Sequence, residues 1–566
     1  MRDDNLVRKR WYENIELWFG QSLLQDEAAA SVAFRFAFLV STALILVTLW
    51  ILGPYPNTIF PSDTMSFLTQ GDYLVRGYRP YVDYYSLHSF FPFLFSAISI
   101  ESQGVSLRAV LLAQILGGGI LGALLHRVAA SRVHWILALL LGLTAVLMLV
   151  ACTPIGYETW RAFSCAMWYN RVGFALQAVV FLYVTLPSRD SRRWSRWLDS
   201  LVTSVCLAGL FHTKLTFFLP TILTVIAATI IWPMSREHRI HCAVTIVLGL
   251  ILCAAALALF QGSLRGYFTL LRAVPLKVGV FALVSRYVQF TRTMSVFMIA
   301  MLALAMVASR AGLARAMWRE WFLAALIGGT MVLSVATASQ NQEIIPFLGM
   351  VPMTAAVALQ RRARREQVEL NRPLAALAMI LALSMLVHVP KDAALSWAFS
   401  KAHIKTLGPR PQLAGASSSL GAPSLVSNRV DPLLLSRLPA DYGKRIRAAL
   451  ALLAEAGCKP GEVLFVATTA DDVTLLTNLE YSKGGTPWWQ LVLAENPAQY
   501  PVPNRDFLAD TQWILRDKND PVSFGYEVWR LIESVRGAYL RDHFHVAMES
   551  EDWIVYRRVA ARSDKS

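Results

Sequence analysis

Long apolar runs separated by short charged connectors organise the first two thirds of the chain. Eleven such runs stand at about 33–53, 108–125, 135–152, 168–187, 199–211, 216–233, 243–261, 293–308, 321–338, 345–360 and 373–390. A helix needs about 20 mostly apolar residues to cross a bilayer, so these runs predict about eleven transmembrane helices. The fifth is short and reads as tilted or broken. The stretch 89–100 is apolar but too short to cross, and it predicts a helix lying in the interface. About thirty mixed-charge residues precede the first run, and no small-residue cleavage site follows it. That run is therefore expected to stay as a span.

From residue 391 onward the pattern changes. "KPGEVLFVATTADD" reads as a turn, a buried strand and a helix start, and "TQWILRD" and "HFHVAMESEDWIVYRRV" read as further strands. Helical periodicity at 441–456 and 523–540 alternates with them, which predicts an α/β or α+β domain. Residues 406–430, rich in Gly, Pro and Ser, predict a flexible connection. The expected organisation is an N-terminal segment 1–32, a membrane domain 33–390 with a first outer loop 54–107, and a soluble domain 391–566.

Composition agrees with this division. Only 16% of the 566 residues are charged, against about 25% in soluble domains, and the mean hydropathy is +0.45. The formal charge of +15 invites a nucleic-acid reading, but residues 391–566 carry 21 Lys+Arg and 20 Asp+Glu. The basic excess lies in the membrane half, where topology accounts for it, so no nucleic-acid partner is expected. With the N-terminus cytoplasmic, the inner segments hold 20 Lys+Arg in 85 residues and the outer ones 9 in 110. This bias orients the bundle, and an odd number of spans places the C-terminal domain outside. The six cysteines form no CxxC pattern, which argues against a zinc ribbon or a disulfide scaffold. Cys152 and Cys165 are close enough in topology for one bridge.

The acids of the membrane half narrow the search for chemistry. Twelve of its eighteen lie in or beside the inner segments, and the other six are Asp63, Asp72, Asp83, Glu101, Glu158 and Glu343. None falls at mid-membrane depth, where an ion-coupled transporter usually keeps one. Four of the six lie in the first outer loop, within "SDTMSFLTQGDYLVRGYRPYVDYYSLHSFFPF" or just after it. Ser62 is placed to cap a helix over 63–76, and Gly77 to end it. Asp63 then sits in the first turn, where the helix dipole favours the ionised carboxylate.

This loop resembles the first outer loop of bacterial GT-C glycosyltransferases, the superfamily that includes protein O-mannosyltransferases and lipid A aminoarabinose transferases. The residues that carry the resemblance are Asp63, Tyr73, Gly77, Pro80, Tyr81, Asp83, His88 and Pro92, and "FHTKLTFFLP" resembles the Lys-containing segment of the family. The chain departs from the best-known members in having Thr64 after Asp63, without an Asp-Glu pair, and "LHSFFP" for a Pro-rich end. The resemblance implies a polytopic α-helical fold with a C-terminal extracytoplasmic domain, set in a bacterial inner membrane. It further implies transfer of a sugar from a polyprenyl-phosphate donor to a glycan, glycolipid or protein acceptor on the outer face.

In that frame Asp63 is the expected general base, with Asp83 and Glu158 as further catalytic candidates. Lys214, His88, Arg171, Arg265 and Arg272 are the candidates for the donor phosphate. Tyr73, Tyr81, Trp488 and Trp489 are the candidates for sugar contacts. His88 could equally take a metal, and with no dense His/Asp cluster in the sequence the metal requirement stays open. Two other classes are open as well: a lipid-linked-sugar flippase, and a non-catalytic envelope assembly protein.

Overall fold

A computed structural model describes residues 28–53, 61–86, 89–151, 153–154, 163–164, 168–190, 192–231, 235–273, 291–336, 346–371, 373–385, 425–431, 434, 440–468, 471–485, 508–519 and 528–559. Each of the eleven apolar runs is carried by a helix. These are α1 (Ala28–Leu52), α4 (Leu107–Ala130), α5 (Trp135–Val150), α6 (Trp168–Thr185), α7 (Arg193–Phe211), α8 (Leu215–Ile231), α9 (Arg236–Leu259), α11 (Thr291–Arg310), α12 (Trp318–Ala336), α13 (Met350–Arg365) and α14 (Pro373–Met385). By length and composition, the stretches Phe34–Leu52, Leu107–Ala130 and Arg236–Leu259 can each cross a membrane. Between these helices lie α2 (Pro61–Val75) and α3 (Phe91–Gln103), which together make the first loop, and α10 (Leu264–Ala273).

The helices differ in what they bury. On α1, Phe36, Leu39, Leu44 and Ile51 are exposed, as are Val247, Ile251 and Leu259 on α9. Apolar side chains turned outward in this way suit a lipid solvent. On α6 every residue from Trp168 to Thr185 is buried. It is the central post of the bundle, and a helix covered on all sides is a fixed support for residues at its end. Glycines allow close approach at this post: a Cβ on Gly117 would meet Trp168, and one on Gly173 would meet Phe217. Small residues at such crossings let backbones come together without lipid between them.

The C-terminal region folds around a five-stranded mixed sheet in the order β4-β3-β5-β7-β6. Its strands are β3 (Val463–Ala467), β4 (Glu480–Tyr481), β5 (Trp513–Asp517), β6 (Phe544–Glu549) and β7 (Trp553–Arg558). β3 runs parallel to β4 and β5, and β7 runs antiparallel to β5 and β6. Helices α15 (Ala440–Glu455), α16 (Asp472–Leu475) and α17 (Val528–His543) accompany it. The strands and helices read from the sequence therefore stand within a few residues of the observed ones.

Two details of the reading change. The helix of the first loop opens at Pro61, so Ser62 lies inside its first turn and not at the cap. Proline is pre-shaped for that opening position. The end of the Gly/Pro/Ser-rich stretch is tied down as well: Val105 N donates to the Arg429 carbonyl at 2.8 Å, and Asp431 N donates to the Val105 carbonyl at 3.0 Å.

Candidate active site

The first loop is built as a platform. Helix α2 ends where Gly77 adopts φ +78°, with Gly77 N donating to Leu74 O at 3.1 Å and Tyr78 N to Tyr73 O at 2.9 Å. This paired closure is the Schellman ending, and it favours glycine at that position. The chain then turns sharply, Tyr81 taking φ +60°, and its ring packs against Tyr267 with centroids 4.6 Å apart.

Most of the polar and aromatic residues of this loop hold the C-terminal domain. Asp72 is buried and bound by Arg76 at 2.7 Å and Arg429 at 3.5 Å, and it accepts from the Tyr481 hydroxyl at 2.9 Å. Arg76 also donates to the carbonyls of Leu479 and Thr477, and the Tyr78 hydroxyl donates to Glu480. Tyr73 stacks on Tyr481 at 4.0 Å between centroids. Tyr84 bridges to Gly485, Tyr85 N donates to Gly485 O, and Gly484 N donates to the Asp83 carbonyl.

Asp63 and Asp83 have contrasting surroundings. The Asp83 carboxylate accepts three bonds from Arg79, from its backbone N at 2.9 Å, Nε at 2.8 Å and Nη2 at 3.0 Å. Burial works to raise its pKa, but these bonds and the Arg79 charge prevail and hold it below the usual carboxylate range. Asp63 is half-buried, and among the described residues no side chain pairs with its carboxyl. Burial alone pushes its pKa up to about 7. A carboxyl that exchanges its proton near neutrality, with no partner to displace, is suited to general base work.

The surroundings of Asp63 come from both halves of the chain. Its charge reaches Tyr169 at the head of α6 and Tyr442 on α15. Tyr169 in turn carries Lys214, whose Nζ stands 5.7 Å from the ring centre. Lys214 lies in the turn between α7 and α8, and that turn is tied to the end of the first loop. Phe91 N donates to the His212 carbonyl at 2.9 Å, and Ser89 N donates to the Thr213 carbonyl at 3.3 Å. The two segments that carry the family resemblance are thus bonded to each other.

On the C-terminal side, α16 packs on α2, where Thr69 Oγ1 donates to the Asp471 carbonyl at 3.0 Å. The Tyr442 hydroxyl donates to Asp472, and Arg445 pairs with Asp517. Burial raises the carboxyl pKa of Asp471 to about 7 and that of Asp472 to about 6.

Arg171 is buried on the first turn of α6 and donates to the Ala151 carbonyl. Arg265 is exposed on α10; Arg272 belongs to the same helix, and its side chain lies outside the described residues. Glu158, His88, Trp488 and Trp489 also lie outside them, as do Cys152 and Cys165. The segment holding Glu158 is bracketed by an antiparallel pair, β1 (Thr153–Pro154) and β2 (Phe163–Ser164), with β2 against α2. Among the described residues no group of three or more His, Cys, Asp or Glu is placed to hold a metal. Sequence reasoning missed Tyr169, Tyr442 and Asp472. Each is an ordinary residue in its own segment; packing puts Tyr169 and Tyr442 within the field of Asp63 and bonds Asp472 to Tyr442.

No family model and no curated protein matches the sequence. Among solved structures, the chain is similar to ArnT from Cupriavidus metallidurans bound to undecaprenyl phosphate, at 12% identity and TM-score 0.38, over 93% of this chain and 98% of that one. It is similar to the apo state of the same protein, at 13% identity and TM-score 0.40, over 94% and 99%. It is also similar to the Archaeoglobus fulgidus oligosaccharyltransferase in complex with Zn and sulfate, at 12% identity and TM-score 0.38, over 90% and 71%.

Proposed function

We propose that the protein is a GT-C-like glycosyltransferase that moves a sugar from a polyprenyl-phosphate donor to an acceptor hydroxyl at the outer face of a bacterial inner membrane. The observation that carries this reading is the Asp63 carboxyl. Among the described residues no side chain pairs with it, burial raises its pKa to about 7, and its charge reaches Tyr169, the ring that carries Lys214. The loop motif supplies the reaction class.

In the proposed step Asp63 takes the proton of the acceptor hydroxyl as its oxygen attacks the anomeric carbon. The bond from that carbon to the phosphate oxygen breaks, and the electron pair leaves with polyprenyl phosphate. Lys214 receives the growing phosphate charge, with Arg171, Arg265 and Arg272 as further candidate cations. A single in-line displacement inverts the anomeric centre. Asp83 holds the turn through Arg79, and Glu158 is the candidate second acid that orients donor or acceptor. In this reading Tyr73 and Tyr81 shape the loop by packing, and the Trp488–Trp489 segment follows the docked Gly484–Gly485 as a sugar-stacking candidate.

The test is reconstitution of the full chain in liposomes, alongside mass spectrometry of envelope glycans and glycolipids from a deletion strain. A glycan or glycolipid lost on deletion, restored by the parent gene and not by Asp63→Asn, supports transfer. Lipid-linked sugar crossing between leaflets without a new glycosidic bond overturns it in favour of a flippase.

A further inference from the structure

His212 stands two residues before Lys214 in the turn between α7 and α8, and its side chain is buried. Its two ring nitrogens reach different elements. Nε2 lies 2.9 Å from the Cys253 carbonyl on α9, and Nδ1 lies 3.4 Å from the Ser89 hydroxyl of the first loop. A carbonyl oxygen can only accept, so Nε2 carries the proton, and Nδ1 is left to accept from Ser89. Burial pushes the pKa of the ring down to about 4, so near pH 7 the ring is neutral and keeps this tautomer. The rings of Phe90 and Phe211 hold it from two sides, at 4.5 Å and 4.8 Å between centroids.

The backbone of the turn is fixed as well. The carbonyls of His212 and Thr213 accept from Phe91 N and Ser89 N, and Lys214 N donates to the Leu210 carbonyl at 3.0 Å. The Thr213 hydroxyl donates to the Gly209 carbonyl at 2.7 Å. These bonds join the turn to α7 and to the first loop. The His212 ring adds α9, so three elements meet just before the ammonium that stands over Tyr169.

We propose that His212 is a positioning residue for Lys214: its Nε2–H and its Nδ1 latch the turn to α9 and to Ser89, and this sets where the Lys214 ammonium stands to meet a phosphate. The inference rests on the reading of Lys214 as the cation for the donor phosphate.

The full chain in detergent gives two readouts. The first needs no ligand: the Lys214 amine is acetylated with an N-hydroxysuccinimide ester, and mass spectrometry follows the rate. The second is binding of undecaprenyl phosphate, followed by native mass spectrometry. His212→Leu fills the space of the ring and supplies neither nitrogen. Acetylation of Lys214 should then quicken, and binding should weaken, each by about 3–10-fold, the worth of a hydrogen bond or two. His212→Gln places an amide donor within the reach of Nε2, and both values should return toward those of the parent. The double variant His212→Leu/Lys214→Met should bind no more weakly than Lys214→Met alone, because coupled residues do not add. A general loosening of the fold would add to the loss.

Unchanged acetylation in folded His212→Leu overturns the proposal. So does an additive loss in the double variant, or unchanged binding in His212→Leu where Lys214→Met weakens it. If Lys214→Met leaves binding unchanged while His212→Leu still quickens acetylation, the latch stands and the phosphate reading of Lys214 falls. Should His212→Leu fail to fold, Ser89→Ala removes only the hydroxyl on Nδ1 and reads the same two quantities, with the same signs expected and no change overturning the latch.

Discussion

The Lys214 ammonium stands 5.7 Å from the centre of the Tyr169 ring. The same tyrosine lies in the field of Asp63. One aromatic side chain therefore carries the candidate phosphate cation and feels the charge of the candidate base. Because Asp63 forms no ion pair among the described residues, its carboxyl is left to exchange a proton.

Replacing the base tests this most directly. Asp63→Asn keeps the shape and removes the proton acceptor, and positioned acid–base groups contribute about 10²–10⁴-fold to rate. Transfer should fall by that order while binding of undecaprenyl phosphate, followed by native mass spectrometry, stays within about twofold. An equal loss of binding would assign Asp63 to the donor site.

Lys214 should behave in the opposite way. Lys214→Met is expected to weaken undecaprenyl phosphate binding by about 10–100-fold, the worth of a charge-assisted hydrogen bond. Lys214→Arg should retain most of the affinity, since guanidinium also pairs with phosphate. Unchanged binding in Lys214→Met would leave the cation to its stacking role.

Activity and stability should respond oppositely to pH. Asp63 works as a base only when ionised, so the rate should rise with pH through about 7. Asp63, Asp471 and Asp472 all have pKa values raised by burial, to about 7, 7 and 6. A raised acid binds its proton more tightly in the folded state. Its stabilising protonation is fully present below the unfolded value and absent above the folded one. The contribution of these groups to thermal stability should therefore decline between about pH 4 and 7. Asp471→Asn should flatten part of that decline in a melting series.

The docking of the C-terminal domain has its own weak points. Asp72→Ala leaves Arg76 without its carboxylate at a site that is 15% exposed, and breaking a buried pair costs about 3 kcal/mol or more. Gly104→Ala drives a Cβ into the Arg429 carbonyl at φ +63°. Both variants should lower the melting temperature and speed proteolysis of the C-terminal domain. Arg79→Ala leaves the buried Asp83 carboxylate with only the backbone N of its three Arg79 bonds, but because Arg79 is 43% exposed its effect should be smaller than that of Asp72→Ala.

Hydropathy located the helices of the eleven apolar runs, because a long run of apolar residues has few other stable forms in a lipid solvent. The alternation after residue 391 was equally legible, and strands β3, β5, β6 and β7 fall where it put them. The acid count pointed to the first outer loop for a physical reason: a carboxylate is costly at mid-membrane and cheap at the surface.

What the sequence could not separate was Asp63 from Asp72 and Asp83, since the three look alike along the chain. Only the fold shows that Asp72 is spent on Arg76, Arg429 and Tyr481, and Asp83 on Arg79, while no described side chain pairs with Asp63. The same holds for the loop's tyrosines, several of which face a partner about 400 residues away in sequence. Local pattern determines which element forms, because backbone preference and burial act over a few residues. The assignment of each polar group to a partner is long-range, and it was decided only when the first loop packed against the C-terminal sheet and the bundle.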